Sequence, residues 1–160
     1  MATNLIPDPK IFVTLKFLGC ITTEDNLVSV PELSGIYVAF VCNKFLNEEG
    51  NYTCTRIAYI GKAEGTNNLR NRIRQHFRKD HEKWIKEARL SDNEMFVYTY
   101  AVLEDERLSD VEAALIYCNK PIINTQNIDR YTGKSWLIYV ECTGNKGLLA
   151  NNAVGLKFIK

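Results

Sequence analysis

Two runs constrain this chain more than any other part of it. Gly35-Ile36-Tyr37-Val38-Ala39-Phe40-Val41 is β-branched and aromatic without a polar break, and Met95 to Leu103 is apolar at nearly every position. A strand with one wet face alternates apolar and polar residues, whereas an unbroken run belongs to a strand covered on both faces. Met95–Leu103 is accordingly the candidate central strand. Asn43 to Asn51 is polar, contains Gly50 and reads as a hairpin loop. Arg56-Ile57-Ala58-Tyr59-Ile60 then forms a second strand that stops at Gly61, antiparallel to the first because a parallel crossover needs a longer connection.

Helical signals follow. Thr66-Asn67-Asn68 offers N-caps to a stripe of Leu69, Ile73 and Phe77 at steps of four. A second helical piece runs from about Asp80 to Arg89 with Trp84, Ile85 and Ala88 facing inward, and Ser109 to Ile116 opens a third helix that Pro121 ends. Trp136 to Val140 is a further strand. The first thirty-odd residues read as a lead-in, with an apolar patch from Ile11 to Leu18, and the Gly- and Asn-rich tail has no assigned structure.

The 160 residues, 46% apolar and 24% charged, suit one ordinary globular domain, which at this size buries about 70% of its unfolded surface and needs no staple. Five scattered cysteines without a CxxC fit reduced thiols better than a secreted disulfide framework. His76 and His81 are spaced like the end of a zinc finger, but Cys42 and Cys54 lie too far apart to begin one. The opening Met-Ala-Thr-Asn-Leu-Ile-Pro-Asp-Pro has no basic segment followed by an apolar run, and no eighteen apolar residues are consecutive, so the expectation is a cytoplasmic protein away from membranes.

The formal charge of +1 does not announce a polyanion partner, yet it is unevenly spread. Between Lys62 and Arg89 nine Lys and Arg face four Asp and Glu, a net +5. Arg70, Arg74, Arg78 and Lys79 in this segment are candidate contacts to a phosphate backbone, although a solvated helix face gives the same charge pattern.

Gly35-Ile36-Tyr37 on one strand, Tyr59-Ile60-Gly61 on the next, Arg72 and His76 one helical turn apart, Glu112 opening a later helix, and Lys120-Pro121-Ile122-Ile123-Asn124 occur in that order. This constellation resembles the GIY-YIG nuclease superfamily over residues 35–124. The resemblance implies an α/β (α+β) fold with a small three-stranded antiparallel sheet flanked by helices. Residues 1–34 and 125–160 would be short N- and C-terminal extensions of a single domain. It further implies cleavage of DNA phosphodiester bonds with one Mg²⁺ or Mn²⁺, giving 5′-phosphate and 3′-hydroxyl ends, with no small-molecule cofactor.

Each residue type suits such chemistry. Tyr37 is the family's candidate general base; free tyrosine has a pKa of about 10, so it needs help from neighbouring cations, for which Lys62 and His76 are placed, or a relay that passes the proton to His76. Arg72 offers a planar fork for two phosphate oxygens. The resemblance makes Glu112 the expected metal ligand, and Mg²⁺ is content with one protein carboxylate, phosphate oxygens and waters. Ser109-x-x-Glu112 also matches a capping box, in which the carboxylate merely caps a helix. Tyr59 points toward the site in the family and Asn124 supports it, while Gly35 and Gly61 allow a turn or a close approach of backbone. A nucleic-acid-binding module that keeps the fold without cutting, and a protein-interaction domain with a basic helix face, are the alternatives.

Overall fold

The computed structural model describes residues 11–157; the opening nonapeptide read for a leader lies outside them. Six strands form one mixed sheet: β1 (Ile11–Ile21), β2 (Gly35–Asn43), β3 (Cys54–Ala63), β4 (Glu94–Val102), β5 (Leu137–Gly144) and β6 (Asn152–Leu156), in the order β3-β2-β4-β1-β5-β6. β1 and β5 run parallel and every other neighbouring pair is antiparallel. The helices are α1 (Leu69–Gln75), α2 (His81–Glu87) and α3 (Leu108–Asn119), with a 3-10 turn at Glu24–Ser29.

The small three-stranded sheet with short extensions is therefore corrected: β3, β2 and β4 are half of a larger sheet, and the flanking segments supply the other three strands. The physical reason lies in β4, whose second edge needs a partner. β1 supplies it, pairing Leu18 with Tyr100 and Ile21 with Tyr98. The supposed lead-in is this strand, and it alternates: Val13, Leu15 and Phe17 are buried while Phe12, Thr14 and Lys16 face out. The unassigned tail contributes β6 along the outer edge of β5.

Both continuous apolar runs form buried strands, and Met95–Leu103 lies within the sheet, as expected; the run from Gly35 proves to be an interior strand as well. On β2, Ile36, Val38, Phe40 and Cys42 enter one core with α3, β1 and β5, while Tyr37, Ala39 and Val41 enter a second core with α1, α2 and Tyr98 and Tyr100 of β4. Asp110 of α3 fastens the chain leading into β5 by accepting hydrogen bonds from the backbone N–H groups of Lys134 (2.7 Å) and Ser135 (3.0 Å). No helix among the described residues is long and apolar enough to cross a membrane.

Two local departures shape the site. β3 does not stop at Gly61 but continues to Ala63, and it carries a bulge: Ala39 pairs with Tyr59 but Phe40 with Ile57, leaving Ala58 as the extra residue. The helical pieces expected on either side of Asp80 are continuous through a π turn, His76–Asp80, a widened segment of a kind that recurs at functional sites.

Candidate active site

Tyr37, on β2, is wholly buried, and its hydroxyl lies 2.7 Å from His76 Nε2. On the other side of the ring His76 Nδ1 is 2.8 Å from the carboxylate of Asp80. A carboxylate there accepts the Nδ1–H, which fixes the tautomer and leaves Nε2 to accept the Tyr37 O–H. Arg72 completes the group by donating from its guanidinium to the Tyr37 oxygen at 3.4 Å. The π turn gives His76 and Asp80 their place, and Trp84 of α2 stacks on the imidazole at 4.1 Å between centroids. Asn68 caps α1 by accepting from Asn71 N–H at 3.0 Å, so the helix carrying Arg72 starts where the sequence places it.

The paired tyrosines and glycines have a packing reason. Tyr37 stands directly opposite Gly61, and a Cβ on that glycine would meet the Tyr37 hydroxyl at 2.4 Å and the Tyr59 ring at 2.7 Å. Gly61 thus admits two aromatic side chains and makes no turn, which corrects the expectation of a backbone turn there. A Cβ at Gly35 would strike the carbonyl of Ala101 at 2.1 Å, a close approach of the neighbouring strand. The Ala58 bulge sets Tyr59 on the face of Tyr37, 6.0 Å from it between centroids and 5.5 Å from His76.

The outer edge of β3 is closed residue by residue. Ile122 and Ile123 N–H donate to the carbonyls of Ile57 and Ala58. The Asn124 side chain then imitates a strand, accepting from Ile60 N–H and donating to Ile60 C=O, both at 2.9 Å. Glu112 takes the next position, its Oε1 accepting from Lys62 N–H at 3.1 Å. The capping-box reading fails, because α3 begins at Leu108, so that Ser109 already lies inside the helix, the N-cap makes no side-chain hydrogen bond, and Ser109 Oγ instead accepts from Lys62 Nζ at 2.6 Å. Lys62 Nζ, engaged by Ser109 and by Glu64 at 2.8 Å, faces α3 and does not attend Tyr37.

Burial governs the proton affinities. It raises Tyr37 well above the ordinary phenol value, with Tyr59 adding to it and Arg72 opposing it. It raises Tyr59, where Glu112 adds to the effect. Burial lowers His76 to about 4 against the opposing pull of Asp80, and it raises Glu112 against Lys62 and Arg72. At neutral pH the Tyr37 phenol and the His76 imidazole are therefore both neutral, beside the Arg72 guanidinium.

Glu112 and Asn124 line a polar pocket of about 290 Å³ with Tyr59, Thr125, Gln126 and Asn127. No cluster of three or more His, Cys, Asp or Glu occurs among the described residues. A half-buried carboxylate with one oxygen engaged by a single N–H, opening on an oxygen-rich pocket, fits a hard cation that takes most of its ligands from water and substrate. The basic segment is partly neutralised: Arg70 pairs with Glu32 at 2.7 Å and Arg78 with Glu24 at 2.5 Å, whereas Arg74 donates to the side chain of Asn71 and pairs with no acid among the described residues. Lys79 is exposed next to Asp80.

Tyr37, Tyr59, Arg72 and His76 thus converge on one side of β3, with Glu112 and Asn124 closing its edge. Asp80 was missed from sequence; its only signal is the four-residue step from His76, which places the two on one helix face. Comparison of the chain with protein-family models, with curated proteins and with solved structures gives no match.

Proposed function

We propose that this chain is a divalent-metal-dependent endonuclease of the GIY-YIG type that hydrolyses DNA phosphodiester bonds to 5′-phosphate and 3′-hydroxyl ends. The observation that carries the reading is the hydrogen-bonded chain from part-exposed Asp80 through buried His76 to buried Tyr37, with the Arg72 guanidinium on the same phenol oxygen. A phenol held in this way takes a proton from water on its oxygen while passing its own proton to His76 Nε2. The relay avoids a standing phenolate, which burial of Tyr37 opposes. Neutral His76 offers Nε2 to the Tyr37 proton, and the imidazolium that forms faces the Asp80 carboxylate, which offsets part of the penalty that burial puts on the charged ring.

Arg72 clamps the scissile phosphate through the N–H groups it does not spend on Tyr37 and Gln75. Tyr59, kept protonated by burial, is a second donor toward phosphate. Glu112 would hold Mg²⁺ or Mn²⁺ through the oxygen that Lys62 leaves free, and the bound cation supplies charge neutralisation at the departing 3′ oxygen. Asn124 and Lys62 hold the β3 edge in register beneath these groups. Arg74 and Lys79 are the basic side chains best placed to extend the contact along the duplex, joined by Arg70 and Arg78 when DNA displaces their carboxylate partners.

Supercoiled plasmid with Mg²⁺ or with EDTA tests the proposal. Metal-dependent nicking that disappears in Arg72→Ala and in Glu112→Ala is expected, with Tyr37→Phe inactive yet able to bind DNA. Salt-sensitive binding without cleavage by the unsubstituted chain would replace this reading with a non-cleaving binding module. Neither binding nor cleavage would overturn both.

A further inference from the structure

Two of the five cysteines meet across the β2–β3 hairpin at the end remote from Tyr37. A second bulge is responsible: Val41 pairs with Arg56 but Cys42 with Cys54, so the extra residue Thr55 brings the two cysteines directly opposite each other. Their sulfurs are 2.7 Å apart, in contact and beyond the roughly 2.05 Å of a disulfide bond. Their surroundings differ. Cys42 is wholly buried in the core beneath α3, while Cys54 is half-buried and lines a surface groove of about 380 Å³ with Tyr52, Asn51 and the exposed Cys20.

The Cys42 S–H donates to the Cys54 sulfur, which holds the Cys54 thiol below its ordinary pKa and, with burial, pushes Cys42 up. A solvent-facing thiol with a donor at its sulfur and a second thiol directly behind it is the arrangement in which oxidation stops at a disulfide. We infer that Cys54 and Cys42 form a reversibly oxidisable dithiol, with a hydroperoxide as the oxidant and Cys54 as the sulfur that reacts first.

The steps balance. The Cys54 thiolate attacks the peroxide O–O bond, an S–O bond forms, and the departing oxygen leaves as water or an alcohol once protonated. The Cys42 sulfur then attacks Cys54, the S–S bond forms, and the sulfenic oxygen leaves as water with the Cys42 proton. The peroxide gains the two electrons that the thiols lose, and an external dithiol restores both cysteines by exchange.

Treating the reduced full-length chain with one equivalent of hydrogen peroxide tests this. The expected result is loss of two of the five titratable thiols, a mass lower by two hydrogen atoms, and a non-reduced digest peptide joining Cys42 to Cys54, all reversed by dithiothreitol. Cys20→Ser should behave as the unsubstituted chain, and Cys42→Ser should leave a Cys54 sulfenic acid that dimedone captures. A Cys20–Cys54 linkage in the unsubstituted chain, dimedone capture at another cysteine, or five thiols surviving the treatment would overturn the inference. The peptide map of the unsubstituted chain decides the matter even if a variant misfolds.

Discussion

His76 is the residue on which the site turns, since it touches Tyr37 and Asp80 through opposite ring nitrogens and carries Trp84 on its face. Asp80→Asn leaves an amide oxygen beside Nδ1 but removes the negative charge that the imidazolium would face, and single-turnover nicking should slow about a hundredfold, the low end of what general acid–base catalysis contributes, while DNA affinity measured at the same salt is unchanged. The lowered pKa also makes a stability statement. With His76 at about 4 folded and about 6.5 unfolded, the unfolded chain binds more protons between these values. Stability is therefore lost as pH falls from about 6.5 to about 4, by about 3 kcal/mol in total from this group. Urea titrations at pH 7 and pH 4.5 should show that loss, and His76→Gln should flatten it. Tyr37, Arg72 and His76 were legible because their types and order are distinctive. Asp80 was not, because an acid four residues after a histidine is commonplace on helices and gains meaning only from the ring it orients.

Among the elements, β3 carries the most unusual construction. Gly61→Ala would drive a methyl group into the Tyr37 hydroxyl and the Tyr59 ring. A destabilisation of about 1–3 kcal/mol is expected from such overpacking, read as a lowered urea midpoint with unchanged slope. Asn124→Ala strips both partners from the backbone of Ile60, and leaving those groups unpaired should cost about 1–3 kcal/mol in the same measurement. Strands β2 and β4 were readable because burial on both faces demands an unbroken apolar run. The bulge at Ala58 and the π turn at His76 were not, since each is a one-residue change of phase that adjacent packing selects and no residue type announces.

For the molecule as a whole, the charge reading and the core reading both changed once the chain was folded. Glu24 and Glu32, from outside the basic segment, hold Arg78 and Arg70. Replacing both acids with glutamine should tighten non-specific DNA binding several-fold and steepen its salt dependence by about two phosphate contacts, each contributing a log–log slope of roughly 0.9. Residues 35–124 expressed alone should show no cooperative unfolding transition by circular dichroism, because they lack β1, β5 and β6 and with them Leu15, Phe17, Ile138 and Val140, all buried against α3 and the central strands. By itself the sequence determined the two buried central strands and the helix that follows Thr66-Asn67-Asn68, because strand burial and capping are written locally. Only the tertiary structure decided that the sheet has six strands, that Asp80 joins His76 and Tyr37, and that Lys62 turns toward α3. Sheet edges, the phase of a bulge and the side to which a lysine turns depend on partners distant in sequence, and no local pattern names them.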